Sequence, residues 1–357
     1  MFRLTLHEAS EGDALVLSWG KDAAPHHAVI DLGRTKNYAA LRPWLTQADR
    51  IELFNISHVD ADHISGAMPL VRETTAPFTP GDVWFNGYRH HATAKQRANV
   101  LEPLSIAQGN KLSDGIERFG WPWNQAFAYG PVSVDSAAAA GPLLLPGGLV
   151  VILLSPSDED LARLEPDWED TLQDANLRRG DADAEDAAPP GLEALSVLDV
   201  EALAAEPFKE DRTEPNGASI AFLAEFEGKR VLLGADAHPS RVAASLRALG
   251  HGPDNRLKLD LFKLCHHGSK ANTSADLMQM VDCTRFAIST DGTRHDHPDP
   301  QTVARLLAAD PERHKTFYFN ARQPNSEIWD NSALKSRWAY ECVFPEPPAT
   351  AGLAVEI

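Results

Sequence analysis

Short apolar runs separated by turn signals open the chain: FRLTLHEA, ALVLSWG and HHAVIDLG have strand length, YAALRPWL has the spacing of an amphipathic helix, and IELFNISH returns to a strand. Beyond Gly66, AMPLVRE reads as a helix, and DVWFNG, after the Pro77 to Gly81 turn, reads as a further strand. The second half resumes at ASIAFLAEFEGKRVLLGADA, two apolar strands around the turn Glu227-Gly228. A helix (SRVAASLRALG), a strand (LDLFKLCHHGS), another helix, a strand (RFAISTDG), a helix (PQTVARLLAA) and a final strand (KTFYFNA) follow. Two β-rich halves with helices between strands predict one α/β domain holding two sheets.

Between about Ser155 and Pro215 the pattern changes. LARLEPDW predicts a helix, and RRGDADAEDAAPPG is small, acidic and proline-bearing. We read a single domain over residues 1–345, a partly flexible acidic insertion at about 156–214, most flexible near Gly180 to Gly191, and a C-terminal tail over 346–357. An apolar share of 43% excludes global disorder. The net charge of −18, from 33 basic and 51 acidic residues, weighs against indiscriminate polyanion binding. Part of the excess sits between Asp158 and Asp211, however, so a local basic groove remains open to the folded body. Cys265, Cys283 and Cys342 form neither a disulfide framework nor a CxxC zinc pattern, which favours a reducing compartment. MFRLTLHEASEGD lacks the basic and apolar regions of a signal peptide, and PLLLPGGLVVILL is short and broken by Pro146 and Gly147. These features predict a soluble, cytoplasmic protein with no membrane segment.

Candidate chemistry concentrates in Ser57-His58-Val59-Asp60-Ala61-Asp62-His63, directly after an apolar strand. A turn at a strand end can aim His58, Asp60, Asp62 and His63 into one cavity. Imidazole nitrogen with carboxylate oxygen suits zinc, manganese or iron better than calcium or magnesium alone. A solvated polar turn is the bland alternative.

HVDADH resembles the His-x-His-x-Asp-His signature of the metallo-β-lactamase superfamily, with Asp60 in place of the second histidine. His58 to Gly66 is similar to the His-x-Asp-x-Asp-His-x-x-Gly string of the catalytic domain of ComEC-type competence proteins. AVIDLG resembles the first motif and supplies Asp31, NGASIAFLAEFEGKRVLLGADA the hairpin leading to the bridging aspartate, Asp236, KLCHHGSKANTS the His-His-Gly-Ser motif, and HDHPDPQTVARL the later His-Pro segment. Gly-Ala-Asp replaces the commoner Gly-Asp before Asp236. The resemblance implies a four-layer αββα sandwich and a hydrolase with a metal-bridged hydroxide. It implies two divalent ions, manganese or zinc with magnesium as a further option: His58 and Asp60 on one, Asp62, His63 and His267 on the other, Asp236 bridging, and Asp31 orienting a ligand. Asp60 adds charge and hardness, which tilts the site from zinc towards manganese or magnesium.

Neighbours on a strand or turn generally diverge, so only one of His266 and His267 is expected to face a metal. The resemblance favours His267; the reverse order keeps His266 among the ligand candidates. Ser269 and Lys270, after Gly268, could meet a phosphate through backbone amides, a hydroxyl and an ammonium, or form an ordinary polar turn. His297 is a candidate proton donor, and it joins Asp62 and Lys270 as the residues read as catalytic. His90 and His91 follow DVWFNGY about where many superfamily members place another histidine ligand. Trp121, Trp123, Phe127 and Tyr129 suit either a stacking groove or the core.

Three functions remain in play. A phosphodiesterase, as a nuclease acting on nucleic acid, follows the competence-type motifs, with protein partners supplying positive surface. A small-molecule hydrolase acting on a lactone, thioester or cyclic nucleotide suits the acidic surface. A catalytically idle partner-binding scaffold has no physical need for so many clustered carboxylates.

Overall fold

The computed structural model describes residues 1–98, 111–164, 198–346 and 352–357. The second half of LARLEPDW and the segment Gly180 to Gly191 lie outside the described residues.

The apolar runs at the N-terminus form β1 (Phe2–Leu6), β2 (Leu15–Lys21) and β3 (Ala24–Ile30), an antiparallel meander. β4 (Ile51–Asn55) and β5 (Asp82–Trp84) then add in parallel to β3. β16 (Leu353–Glu356) pairs antiparallel with β1, giving the order β16-β1-β2-β3-β4-β5. The expected tail is therefore partly strand, because Leu353 and Val355 alternate inward and complete the open edge of β1.

The second sheet begins antiparallel with β6 (Leu143–Leu145), β7 (Leu149–Ser155), β8 (Ala221–Phe226) and β9 (Lys229–Leu233). It continues parallel through β11 (Leu261–Lys263), β13 (Arg285–Ile288), β14 (Lys315–Phe319) and β15 (Tyr340–Val343). β15 lies beyond the strand expected to be last. A separate pair, β10 (Leu257–Lys258) with β12 (Val281–Asp282), flanks β11.

Three apolar clusters define the layers. Leu4, Leu17, Trp84 and Val355 of the first sheet meet Val151, Phe222, Leu233 and Ala287 of the second in a shared inner core. The outer face of the first sheet is covered by the helices Tyr38–Gln47, Ala67–Arg72 and Lys111–Phe119 through Leu41, Leu45, Met68, Leu70 and Ile116. That of the second is covered by Pro239–Ala248, Ala275–Met280, Pro300–Ala309 and Ser332–Trp338 through Val242, Leu246, Leu277, Val303 and Trp338. The result is a four-layer αββα sandwich. Trp121, Trp123 and Phe127 are buried in it and Tyr129 is exposed, which settles those aromatics mainly as core. Among the described residues no helix is long and apolar enough to cross a membrane.

Candidate metal centre

The parallel strands of both sheets end at one edge of the sandwich, where loops after strand C-termini collect side chains. Asp31 follows β3, His58 to His63 follow β4, Asp236 follows β9, and His266 and His267 follow β11. The loop between β1 and β2 packs against them so closely that a Cβ on Gly12 would sit 1.8 Å from the backbone oxygen of Asp62. This approach places Asp13 in the same cluster.

Asp62, His63, Asp236 and His267 form a cage. His63 Nε2 lies 3.1 Å from His267 Nε2, 3.7 Å from Asp62 Oδ2 and 3.3 Å from Asp236 Oδ2. His267 Nε2 lies 3.2 Å from Asp62 Oδ2 and 3.6 Å from Asp236 Oδ2. Ligands at about 2.0–2.1 Å from a tetrahedral ion are separated by about 3.3 Å, so these spacings fit one cation. His58 Nε2 sits 3.9 Å from the same Asp236 oxygen and 3.5 Å from Asp60 Oδ2. Among the described residues, His58 Nε2 and Asp236 Oδ1 are buried without hydrogen-bond partners, as ligand atoms facing a metal would be. Asp60 is less enclosed, its side chain 37% exposed.

The imidazoles are held from behind. The buried Asp31 carboxylate accepts from Ser57 N and Oγ, each at 2.7 Å, and from His63 Nδ1 at 2.8 Å. His267 Nδ1 donates to Ser289 O at 2.9 Å. Both contacts favour a proton on Nδ1, which would leave each Nε2 free to face a metal once its own proton is lost, and they place the Asp31 carboxylate behind His63. Burial works against charging His63 and His267, but Asp236 and its neighbouring carboxylates outweigh it and hold both pKa values well above the ordinary range. Burial likewise pushes Asp62 and Asp236 up, yet the imidazoles draw both well below the usual carboxylate range. Protons thus balance the cluster's charge where a divalent ion would, and metal binding must release them.

His266 and His267 correct the expectation that adjacent histidines diverge. Their φ values are 47° and 53°, two successive left-handed residues, and His266 Nε2 lies 3.7 Å from Asp236 Oδ2 while His267 Nε2 faces the same atom. Each such residue costs about 1–3 kcal/mol unless its surroundings hold it.

His297 and Lys270 lie at the rim. The His297 ring centroid is 5.3 Å from that of His266, and Asp299 approaches both His297 Nδ1 at 3.4 Å and the half-exposed Lys270 ammonium at 3.8 Å. The Ser269 turn does not present the amides expected to meet a phosphate: Ser269 N donates to His266 O and Lys270 N to Asp299 Oδ2. His90 and His91 are not brought to the centre. They belong to the helix Tyr88–Arg97, where His90 Nδ1 accepts from Gly87 N and His91 meets the carbonyls of Leu161 and Asn86.

Three residues escaped the sequence reading. Asp13 Oδ2 accepts from Lys263 Nζ at 2.6 Å, both side chains essentially buried, and Asp13 Oδ1 comes within 3.7 Å of His267 Nδ1. Asp211, expected in a solvated insertion, has its side chain only 7% exposed and lies 3.3 Å from His266 Nδ1. A lysine between Phe262 and Leu264 in an apolar strand was the one available signal for the first pair.

No family model and no curated protein matches the chain. Among solved structures it is similar to the metallo-β-lactamase fold protein YhfI from Bacillus subtilis, at 9% identity over 99% of this chain and 98% of that one, with a TM-score of 0.43. It is also similar to zinc-bound PqqB from Methylobacterium extorquens, at 11% identity over 99% and 100% of the two chains, with a TM-score of 0.44.

Proposed function

We propose that this chain is a metal-dependent hydrolase of the metallo-β-lactamase superfamily that cleaves phosphodiesters, with nucleic acid as the substrate class. The observation that carries the reading is the cage of Asp62, His63, Asp236 and His267 at coordination spacing, with orphaned ligand atoms on His58 and Asp236 beside it. His58 and Asp60 would hold one ion and Asp62, His63 and His267 the other, with Asp236 between them. Two divalent ions bound there supply an activated water and polarise the scissile group. Manganese is the ion that Asp60 favours, with zinc the alternative.

The chain's own residues do the rest. Asp31 and the Ser289 carbonyl fix the tautomers of His63 and His267. Burial holds the His297 pKa below the ordinary imidazole value, so near neutral pH it is uncharged and can take up the proton that the attacking water loses and pass it to the leaving oxygen. Lys270, with its ammonium at the rim, offsets charge on non-bridging oxygens. The unpaired thiols of Cys265, Cys283 and Cys342 accord with a cytoplasmic setting.

Protein purified without chelator should contain metal, and should be assayed on single-stranded DNA, RNA, a chromogenic phosphodiester, a cyclic nucleotide, a lactone and a thioester. Lys270→Ala and His297→Ala should each keep the metal yet lose about 10- to 1000-fold on the phosphodiester. Full retention in both variants, or lactone hydrolysis by protein inert towards every phosphodiester, favours instead a small-ester hydrolase, which the net charge of −18 accommodates.

A further inference from the structure

Asp211 sits at the end of the acidic stretch, yet it is built into the ligand cluster. Its Oδ1 accepts from Thr213 N and Oγ1, each at 3.0 Å, and its Oδ2 from Asn216 Nδ2 at 2.6 Å. Asn272 Nδ2 reaches the same Oδ2 at 3.5 Å and also donates to Asp236 O at 3.2 Å. The carboxylate so anchored lies 3.3 Å from His266 Nδ1, and Asn272 Oδ1 lies 3.0 Å from that nitrogen. On the far side of the ring, His266 Nε2 is 3.7 Å from Asp236 Oδ2, which is itself 3.9 Å from His58 Nε2.

We propose that Asp211 is a positioning residue that fixes His266 as a further imidazole ligand of the centre, facing Asp236 Oδ2. The inference rests on the metal-centre reading above and goes beyond it by adding an imidazole ligand at Asp236 and the carboxylate that orients it. The oxygens of Asn272 and Asp211, at 3.0 and 3.3 Å, lie nearer Nδ1 than the Asn216 amide nitrogen at 3.4 Å, and they favour the ring proton there, which leaves the Nε2 lone pair directed to the centre. The left-handed backbone at His266 makes such a hold necessary, because nothing in a free turn would keep this ring beside that of His267. The segment that delivers Asp211 is thereby part of the centre's support.

Zinc titration of the metal-stripped full chain, followed by calorimetry, tests this without recourse to activity. The parent should show two binding events. Asp211→Asn should weaken one about 10- to 100-fold and leave the other unchanged, with the melting temperature of the metal-free protein close to the parent's. His266→Ala should lose the same event, and the double variant should bind no more weakly than His266→Ala alone, since Asp211 acts only through His266. Should Asp211→Asn fail to fold, Asn272→Ala removes the second acceptor and should weaken that same event. Unchanged zinc affinities in the Asp211 variant, with or without a lower melting temperature, or additive losses in the double variant, overturn the proposal and leave the metal-centre reading intact. A parent that binds no zinc overturns both.

Discussion

Replacing Lys263 by methionine tests how far the centre depends on a charge lodged beneath it. The lysine side chain is fully buried and donates to Asp13 Oδ2 at 2.6 Å and to Leu264 O at 3.2 Å. Methionine keeps much of its length but removes the ammonium, leaving Asp13 among the carboxylates of Asp31 and Asp236 with its main counter-charge gone. Breaking a buried pair from one side costs about 3–5 kcal/mol. Unfolding entropy of about 2.1 cal/mol/K per residue, over 357 residues, comes to about 0.75 kcal/mol/K, so the loss corresponds to about 4–7 °C. Calorimetric melting of metal-stripped protein near pH 7.5 reads it directly. Lys263→Met combined with Asp13→Asn should regain most of the loss, because neither charge is then left unpaired. Adding zinc should narrow the gap between Lys263→Met and parent, since a cation beside Asp236 and His267 supplies the missing positive charge. Lys263→Met melting within about 1 °C of the parent would refute this reasoning, and so would a double variant no more stable than the single one.

Asp31→Asn keeps the side-chain shape but has one acceptor oxygen and an NH2 where the carboxylate meets three donors, Ser57 N on Oδ1 and Ser57 Oγ and His63 Nδ1 on Oδ2; zinc affinity should fall about 10- to 100-fold by calorimetry, and an unchanged value would remove Asp31 from its orienting role. Burial, aided by Arg89 and His91, lowers the His90 pKa to about 3. Because the unfolded chain takes up that proton first, the folded state should lose about 1.4 kcal/mol per pH unit from about pH 6.5 downwards until the folded pKa is reached. His90→Gln should flatten this part of the profile in urea melts at pH 7 and pH 5, and an unaltered slope would show that His90 is not held neutral in the fold.

The candidate cluster was legible where chemistry and chain position coincide. His58, Asp60, Asp62 and His63 share one turn after an apolar strand, and it was the motif resemblance that singled out Asp31, Asp236 and His267 beyond β3, β9 and β11. Asp13 and Lys263 were not legible, because their pairing spans 250 positions and nothing local distinguishes Glu11-Gly12-Asp13 from an ordinary turn. Composition concealed Asp211: an acid in an acidic stretch looks solvated until His266 is placed against it. The rule separating His266 from His267 failed because it assumes strand or ordinary turn geometry, and the backbone there is left-handed twice in succession. The helix Tyr88–Arg97 went unread since YRHHATAKQR carries almost no apolar stripe, its buried face being made by His90, His91, Ala94 and Lys95.

The contact between His63 and His267 joins residues 204 positions apart. An ion held by both would act as a reversible staple across the chain, closing a long loop whose entropy of closure rises only slowly with length. Such a staple resists separation of the two sheets rather than fraying at their edges. The protein should therefore survive proteolysis far longer in its loaded form, and a chelator should shorten its life before any other sign of unfolding appears.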